Sequence, residues 1–373
     1  MKIYISISLF GILLSFCFMA NAQKTFSLII ENKSYLDSKN LHIYINNGKD
    51  EIEIERPFIN NQLRISNLFY SKYATIIVVN SSKHFYKNMF WISEKPATIA
   101  LTSKDSTQNP LKDVRLNNAF TLTGMGGEKL ENFIAKEQKE FDESYQKWNK
   151  LRTDSLQNIF NEKVQKLINK RITFIKRNPR LYYSFWDFQG LSTYNYANPD
   201  SLINVYNATF LDDIKNSFEG KEIFKMLIGR TLRKGSNAPM FITEDTLKQV
   251  ISLNNYRGKY LILDFWASWC GPCIEEMPVI RRIRANYPKD KLEIISITKD
   301  ENHGAFSNAV QKQKMNWIHI FNDKNLIKSY GAWNFVPKIF LIDPDGKIVY
   351  TRDDEKEYNL VLLTKLLSEA LSK

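Results

Sequence analysis

From Lys24 to about Leu116, apolar and polar residues alternate with a period of two. The pattern runs through Phe26-Ser27-Leu28-Ile29-Ile30, Leu41-His42-Ile43-Tyr44-Ile45, Glu51-Ile52-Glu53-Ile54 and Gln62-Leu63-Arg64-Ile65. It continues in Ala74-Thr75-Ile76-Ile77-Val78-Val79 and Ala97-Thr98-Ile99-Ala100-Leu101. Successive side chains of a strand point to opposite faces, so these runs predict six or so short strands, each with one buried face. Turn-prone groups such as Asn46-Asn47-Gly48 separate them, and a small antiparallel β-sandwich over residues 23–116 is expected.

After Gly124-Met125-Gly126-Gly127 the period lengthens. Leu130, Phe133, Ile134, Phe141, Tyr145, Trp148 and Leu151 fall on one helical stripe, and Leu156, Ile159, Phe160, Val164, Leu167, Ile168 and Ile172 continue it. Asn178-Pro179 and Asn198-Pro199 punctuate further helical stretches. Residues 117–234 therefore read as a helical segment joining two domains. The run Tyr182-Tyr183-Ser184-Phe185-Trp186-Asp187-Phe188 reads as core. Gly124, Gly126 and Gly127 lack the spacing and the preceding buried strand of a nucleotide loop, so they mark a helix entry.

From Gly235 to Lys373 the pattern becomes α/β. Tyr260-Leu261-Ile262-Leu263-Asp264-Phe265-Trp266 predicts a buried central strand, followed by a helix from Pro272 to about Tyr287. Leu292-Glu293-Ile294-Ile295-Ser296-Ile297 makes a second buried strand. Asp343-Pro344-Asp345-Gly346 joins Ile339–Ile342 to Lys347–Tyr350 as a hairpin. An amphipathic helix over Glu355–Leu371 closes the chain. The predicted order is βαβ followed by ββα.

The beginning of the chain speaks to compartment. Met1-Lys2, the apolar run from Ile3 to Met19 and the small-x-small ending Ala20-Asn21-Ala22 read as a secretory signal peptide over residues 1–22. The periplasm or cell envelope is then the expected location. The run is also at the lower limit for an uncleaved membrane anchor. Cys17 follows Phe16, where a lipid-modified cysteine would follow a small residue, so lipid anchoring is disfavoured.

Composition narrows the classes. Hydrophobic residues at 43% and aromatics at 13% supply packed cores, which excludes a disordered chain. The net charge of +12 raises a nucleic-acid partner. However, residues 23–234 carry 32 basic and 23 acidic side chains spread thinly, and no basic run stands clear of core apolars. Nucleic acid is not expected as a partner. Three cysteines exclude a disulfide-stapled scaffold and a four-cysteine metal centre, and His42, His84, His303 and His319 are scattered, so no metal is expected.

Removing the signal leaves Cys270 and Cys273. They sit in Trp269-Cys270-Gly271-Pro272-Cys273, where a buried strand turns into a helix. Unpaired N–H groups and the positive dipole end at a helix start stabilise a thiolate. Gly271 allows the tight turn, and Pro272 suits the first helical turn because it has no N–H to leave unpaired. Two thiols with two residues between them can close a disulfide. Asp264, set among apolar neighbours, would have its pKa raised by burial toward a range useful for proton transfer.

This constellation resembles the thioredoxin superfamily. Asp264 stands six residues before Cys270, Pro278 five after Cys273, and Val336-Pro337 precedes the hairpin strand where the family has its cis-proline loop. Cys273-Ile274-Glu275-Glu276-Met277-Pro278 further resembles the exported TlpA/ResA-like branch. The whole layout looks like the Bacteroidetes-type arrangement of a β-rich lead domain, a helical linker and a thioredoxin-like domain over 235–373. Two departures concern the substrate-facing loop: Tyr330-Gly331 starts seven residues before Pro337, and Lys338 follows the proline where Thr is common.

The resemblance implies thiol–disulfide exchange with no cofactor beyond a redox-active Cys270–Cys273 pair. Cys270 attacks a substrate disulfide and Cys273 resolves the mixed disulfide with help from Asp264. Trp269, Gly271, Pro272, Val336 and Pro337 shape the substrate groove, and Glu276 is a possible tuning residue. Gly271-Pro272 is the dipeptide of reducing thioredoxins, which favours a reductant of exported disulfide-bearing proteins such as cytochrome-maturation partners. A membrane thiol reductase would supply electrons. The alternatives are a disulfide oxidase or isomerase, and an envelope binding protein whose residues 24–116 carry the function. Oligomeric state is not legible in the chain.

Overall fold

The computed structural model describes residues 24–81, 86–104, 109, 111–194, 196–355 and 359–371. The signal-like segment with Cys17, and His84, lie outside them. The chain divides into two compact units, one up to Leu122 and one from Thr123 onward.

In the first unit the strands are β1 (Lys24–Asn32), β2 (Leu41–Asn46), β3 (Glu51–Glu53), β4 (Gln62–Phe69), β5 (Ala74–Asn80), β6 (Tyr86–Ile92), β7 (Ala97–Leu101), β8 (Val114–Asn117) and β9 (Ala119–Phe120). They form two sheets, ordered β4-β1-β7-β8 and β3-β2-β5-β6-β9. Phe26, Leu28, Ile30, Leu63 and Ile99 of the first sheet share one core with Ile43, Ile45, Ile76, Val78 and Phe90 of the second. Two sheets closing on one apolar layer make the expected sandwich. Each such side chain, fully withdrawn from water, contributes about 1.5–3 kcal/mol.

Two details differ from the sequence reading. β1 pairs with β7 in parallel, while the other pairs of both sheets are antiparallel. The connection from β1 to β7 runs through the other sheet, and such a crossover is what parallel neighbours require. Strands β6, β8 and β9 were also not expected. β6 ends in the buried run Phe90-Trp91-Ile92, which hides its alternation, and β8 and β9 are short pieces separated by Asn118 at φ 51°.

The second unit begins with six helices: α1 (Gly127–Leu151), α2 (Asp154–Arg177), α3 (Tyr182–Thr193), α4 (Pro199–Thr209), α5 (Asp212–Lys215) and α6 (Phe218–Arg230). Gly126, at φ +93°, leads into α1, as expected for a helix entry. Thr153 caps α2 through its hydroxyl, and α1 and α2 pack as a hairpin through Phe133–Phe174 and Trp148–Phe160 ring contacts. Tyr182, Tyr183, Phe185 and Phe188 are buried on α3. Beside them Asp187, 2% exposed, is held by the Arg171 guanidinium, with Nε 3.1 Å from Oδ1.

The helices lead into β10 (Ile242–Glu244), β11 (Val250–Ser252), β12 (Tyr260–Trp266), α7 (Gly271–Asn286), β13 (Leu292–Thr298), α8 (His303–Lys312), β14 (Ile318–Phe321), α9 (Lys324–Ser329), β15 (Lys338–Ile342), β16 (Ile348–Thr351), α10 (Arg352–Glu355) and α11 (Val361–Leu371). The sheet order is β14-β13-β12-β15-β16. β12, β13 and β14 run parallel, and β15 and β16 are antiparallel additions. This is a thioredoxin-like α/β domain with β12 at its centre. The elements α8, β14 and α9 stand between the expected βαβ and ββα parts. β14 has only four residues and α8 buries only Phe306, so neither leaves a strong periodic signal.

Alternation along β12 sorts its two faces. Ile262 and Trp266 join the core under α7 and α11, whereas Leu261, Leu263 and Phe265 join the opposite core with Leu326, Ile327 and Tyr330. Asp264, by the same alternation, faces α7.

The helical segment is continuous with this domain. Glu222 of α6 accepts from Lys328 Nζ at 2.6 Å, and Arg230 donates to the carbonyls of Ser192 at 2.7 Å and Ala197 at 2.8 Å. Gly229 lies so close to the turn at Gly331 (φ +63°) that a Cβ there would come within 2.5 Å of the Gly331 nitrogen and the Lys328 carbonyl. The substitution Gly229→Ala should therefore destabilise the protein by about 1–3 kcal/mol through overpacking against backbone. At Gly190 in α3 nothing lies within 4 Å of the added Cβ. Gly190→Ala should instead stabilise by roughly 0.5–1 kcal/mol. Urea unfolding of the two variants beside wild type reads both; equal effects would show that the α6 contact is loose.

Candidate active site

Strand β12 ends at Trp266 beneath the start of α7, and the loop Ala267–Cys270 joins them. Asp300, 2% exposed at the end of β13, holds that loop. Its carboxylate accepts from the Ser268 N–H at 2.9 Å, the Ser268 hydroxyl at 2.7 Å and the Thr298 hydroxyl at 2.6 Å. The Lys299 N–H reaches back to the Trp266 carbonyl at 2.9 Å.

Cys270 is the N-cap of α7 with extended backbone (φ −87°, ψ 99°), and Gly271 and Pro272 form the first helical positions. The Cys273 N–H points at Cys270 Sγ, 3.2 Å away. The two cysteines form a disulfide. Cys270 is 5% exposed and Cys273 fully buried, while Gly271 and Pro272 are exposed. The outer sulfur is thus the one open to a partner, and the first-turn N–H groups would stabilise its thiolate once the bond is opened.

The remaining expected residues take the following places. Val336 packs against the core that contains both cysteines, and the Val336–Pro337 peptide is cis. Trp269 is 66% exposed and borders a cavity of about 570 Å³ lined also by Ser268, Lys299, Asp300, Lys324 and Trp333. Asn334, in the loop before Pro337, donates to the Thr193 carbonyl of α3 at 2.7 Å, so the helical segment ties down this loop. Glu276 is not a solvated helix charge: it is 4% exposed, and Arg352 of α10 donates to its Oε1 at 2.8 Å through both Nε and Nη2.

Asp264 is 1% exposed. Burial pushes its carboxyl up from 3.8 to about 7; the Ser296 hydroxyl, bonding the charged form, partly offsets the rise, and the neighbouring Glu276 charge adds to it. Ser296 Oγ donates to Asp264 Oδ2 at 2.7 Å, and the Trp317 indole N–H donates to Ser296 Oγ at 2.8 Å. Ser296, Trp317, Asp300 and Arg352 escaped the sequence reading. Ser296 carried a usable signal, a lone hydroxyl inside an apolar buried strand, which must find a partner. Trp317 and Arg352 act over separations that no local pattern marks.

The raised pKa has a consequence for stability with a definite sign. Below about pH 4 the folded and unfolded states both hold the Asp264 proton. As pH rises toward 7 the unfolded chain loses it while the folded protein keeps it, so stability falls and levels off above about 7. Asp264→Asn should match wild type near pH 4 and exceed it at pH 8 by up to about 4 kcal/mol. Urea unfolding of the oxidised protein at both pH values measures this; an equal difference at both would mean that the carboxyl titrates normally.

Residues 234–351 match the family model described as the AhpC/TSA family. A thiol-disulfide oxidoreductase ResA from Bacillus thuringiensis subsp. konkukian (strain 97-27) is 34% identical over 131 residues, covering 33% of this chain and 75% of that protein. The ResA of Bacillus subtilis (strain 168) is 30% identical over 146 residues, covering 39% and 72% respectively. Among solved structures, the thioredoxin domain of a thiol-disulfide oxidoreductase from Bacteroides vulgatus is 28% identical with a TM-score of 0.32, covering 36% of this chain and 99% of that one.

Proposed function

The chain belongs to the ResA-like thiol-disulfide oxidoreductases of the thioredoxin superfamily, and on that footing we propose that it reduces disulfides of exported proteins through Cys270 and Cys273. The observation that carries this reading is the pair at the start of α7, outer sulfur toward solvent and inner sulfur buried on the Asp264 side of β12.

In the reduced protein, the Cys270 thiolate attacks one sulfur of a substrate disulfide. That S–S bond breaks, a mixed disulfide forms, and the first substrate thiolate leaves. Asp264 accepts the Cys273 proton, and the Cys273 thiolate attacks Cys270 Sγ. The mixed disulfide breaks, the Cys270–Cys273 bond forms, and the second substrate thiolate leaves; both take up protons. Two electrons pass to the substrate, and a partner dithiol, a membrane thiol reductase in this reading, returns them. A base whose pKa lies near the working pH suits the proton step. Trp269, Gly271, Pro272, Val336 and Pro337 line the approach to Cys270. Glu276 tunes the site through its charge beside Asp264.

Location outside the cytoplasm is supported by the apolar run Ile3–Met19 and its Ala20-Asn21-Ala22 ending. Among the described residues no helix is long and apolar enough to cross a membrane. The Gly271-Pro272 dipeptide supports the reducing direction, and residues 23–234 supply surface for choosing partners.

Cys270→Ser should lower the rate of disulfide reduction by about 10²-fold or more, because the remaining thiol, Cys273, is fully buried and out of reach of a substrate disulfide. Cys273→Ser should accumulate mixed disulfides with exported proteins, and alkylation in cells should find the wild-type pair mainly reduced. A mainly oxidised pair in growing cells would sink the reductant reading and favour an oxidase. A cellular phenotype that survives Cys270→Ser would place the function in residues 24–116.

A further inference from the structure

The parallel registers place Asp264 beside Ser296 and Ser296 beside His319, so the three form a polar row across the sheet on one face. Trp317, two residues before His319, falls on the same face. Asp264, Ser296 and Trp317 are 1%, 0% and 7% exposed, and the hydrogen bonds between them are 2.7 and 2.8 Å long. An indole N–H only donates. At Ser296 Oγ it fills one of the two acceptor lone pairs, and the hydroxyl has a single proton to give. Among the described residues, the acceptor of that proton is Asp264 Oδ2. The indole therefore biases the direction of the chain from its far end.

We propose that Ser296 and Trp317 are positioning residues for Asp264: the Trp317 indole biases the Ser296 hydroxyl toward donating to the carboxylate. A serine alone could turn and accept a proton from a neutral Asp264. With the indole on one lone pair, accepting through the other would leave the hydroxyl proton without an acceptor among the described residues. Donation to the carboxylate is therefore favoured, and it partly offsets the cost that burial puts on the ionised form, the form able to take a proton. The relay deepens the reading of Asp264 as the base for Cys273 and rests on it.

Other groups bear on the same carboxyl. From α7, Glu276 adds a negative charge, itself paired with Arg352 of α10, and Cys273 shares the face. On β15 the neighbour is the apolar Ile339, and the adjacent Lys338 turns to Asp353 at 2.9 Å. His319 is held below its ordinary pKa by burial, with Nε2 3.2 Å from the Met315 carbonyl. None of these donates to Oδ2 of Asp264, so removing the relay is not made good by a neighbour.

The test uses the full-length oxidised protein, in which the cysteines do not titrate. Infrared difference spectra across pH follow the Asp264 carboxyl band, assigned by its loss in D264N. The expected wild-type midpoint is near 7. In S296A it should rise by about one pH unit or more, since a hydrogen bond to the charged form is lost. In W317F it should rise by a smaller amount, because the hydroxyl loses its bias toward donating. S296T, which keeps the hydroxyl, should hold the wild-type midpoint. A cooperative thermal transition checks that each variant is folded, and W317F stands independently if a Ser296 variant is not. Midpoints unmoved in both S296A and W317F overturn the relay. The pH profile of disulfide reduction by the reduced protein is then compared among wild type, W317F and D264N. A profile that moves with the midpoint supports relay and base together. A midpoint that moves while the W317F and D264N profiles stay at wild type supports the relay and removes Asp264 from the proton step.

Discussion

A carboxyl group withdrawn from water beneath the start of a helix is the constraint on which this structure turns. An ionised carboxylate in such a place is costly, and the protein neither omits it nor neutralises it with a cation. Instead Asp264 sits on the centre strand of the sheet, the place most removed from solvent, and among the described residues its donor is the neutral Ser296 hydroxyl. Around it, α7 must bring Cys273 to the same face, β13 must present a hydroxyl at the matching register position, and the loop to Cys270 must be held short. The Asp300 contacts to Ser268 and Thr298 meet the last demand. Chemistry and fold are thus joined at β12, where the same alternation that fills two cores aims the carboxyl.

Much of this could be read along the chain because the signals are local. A buried strand, a glycine-proline turn and a helix start lie within twenty residues, and Asp264 stands out as the one charge in an apolar run. Ser296 had the same kind of signal, weakened because a serine is cheaper to bury than a carboxylate. Glu276 reads as a possible tuning residue, but its burial could not be read: acids on helices are usually solvated, and the partner Arg352 lies far along the chain. The sandwich was legible in strands with one wet face. It faded at β6, where consecutive residues are buried, and at β8 and β9, which are too short to show a period.

The basic excess of the first two thirds has a structural side as well. Arg171 neutralises a buried aspartate, Arg230 bonds carbonyls at the end of α3, and Lys328 of the α/β domain completes a pair with α6. These cations serve as fasteners among helices, and composition alone gives no way to tell a fastener from a docking charge. Burial of the partner decides it.

The helical segment touches the loop before Pro337 at two places, through Asn334 to the Thr193 carbonyl and through Gly331 against Gly229. A loop braced from behind shares free energy with its brace. A partner that gripped the helices near 193 or 229 and favoured one position of the loop would alter the affinity of the loop for a ligand, and by the same factor the ligand would alter the grip. Such coupling would place part of the site's selectivity outside the domain that holds the cysteines.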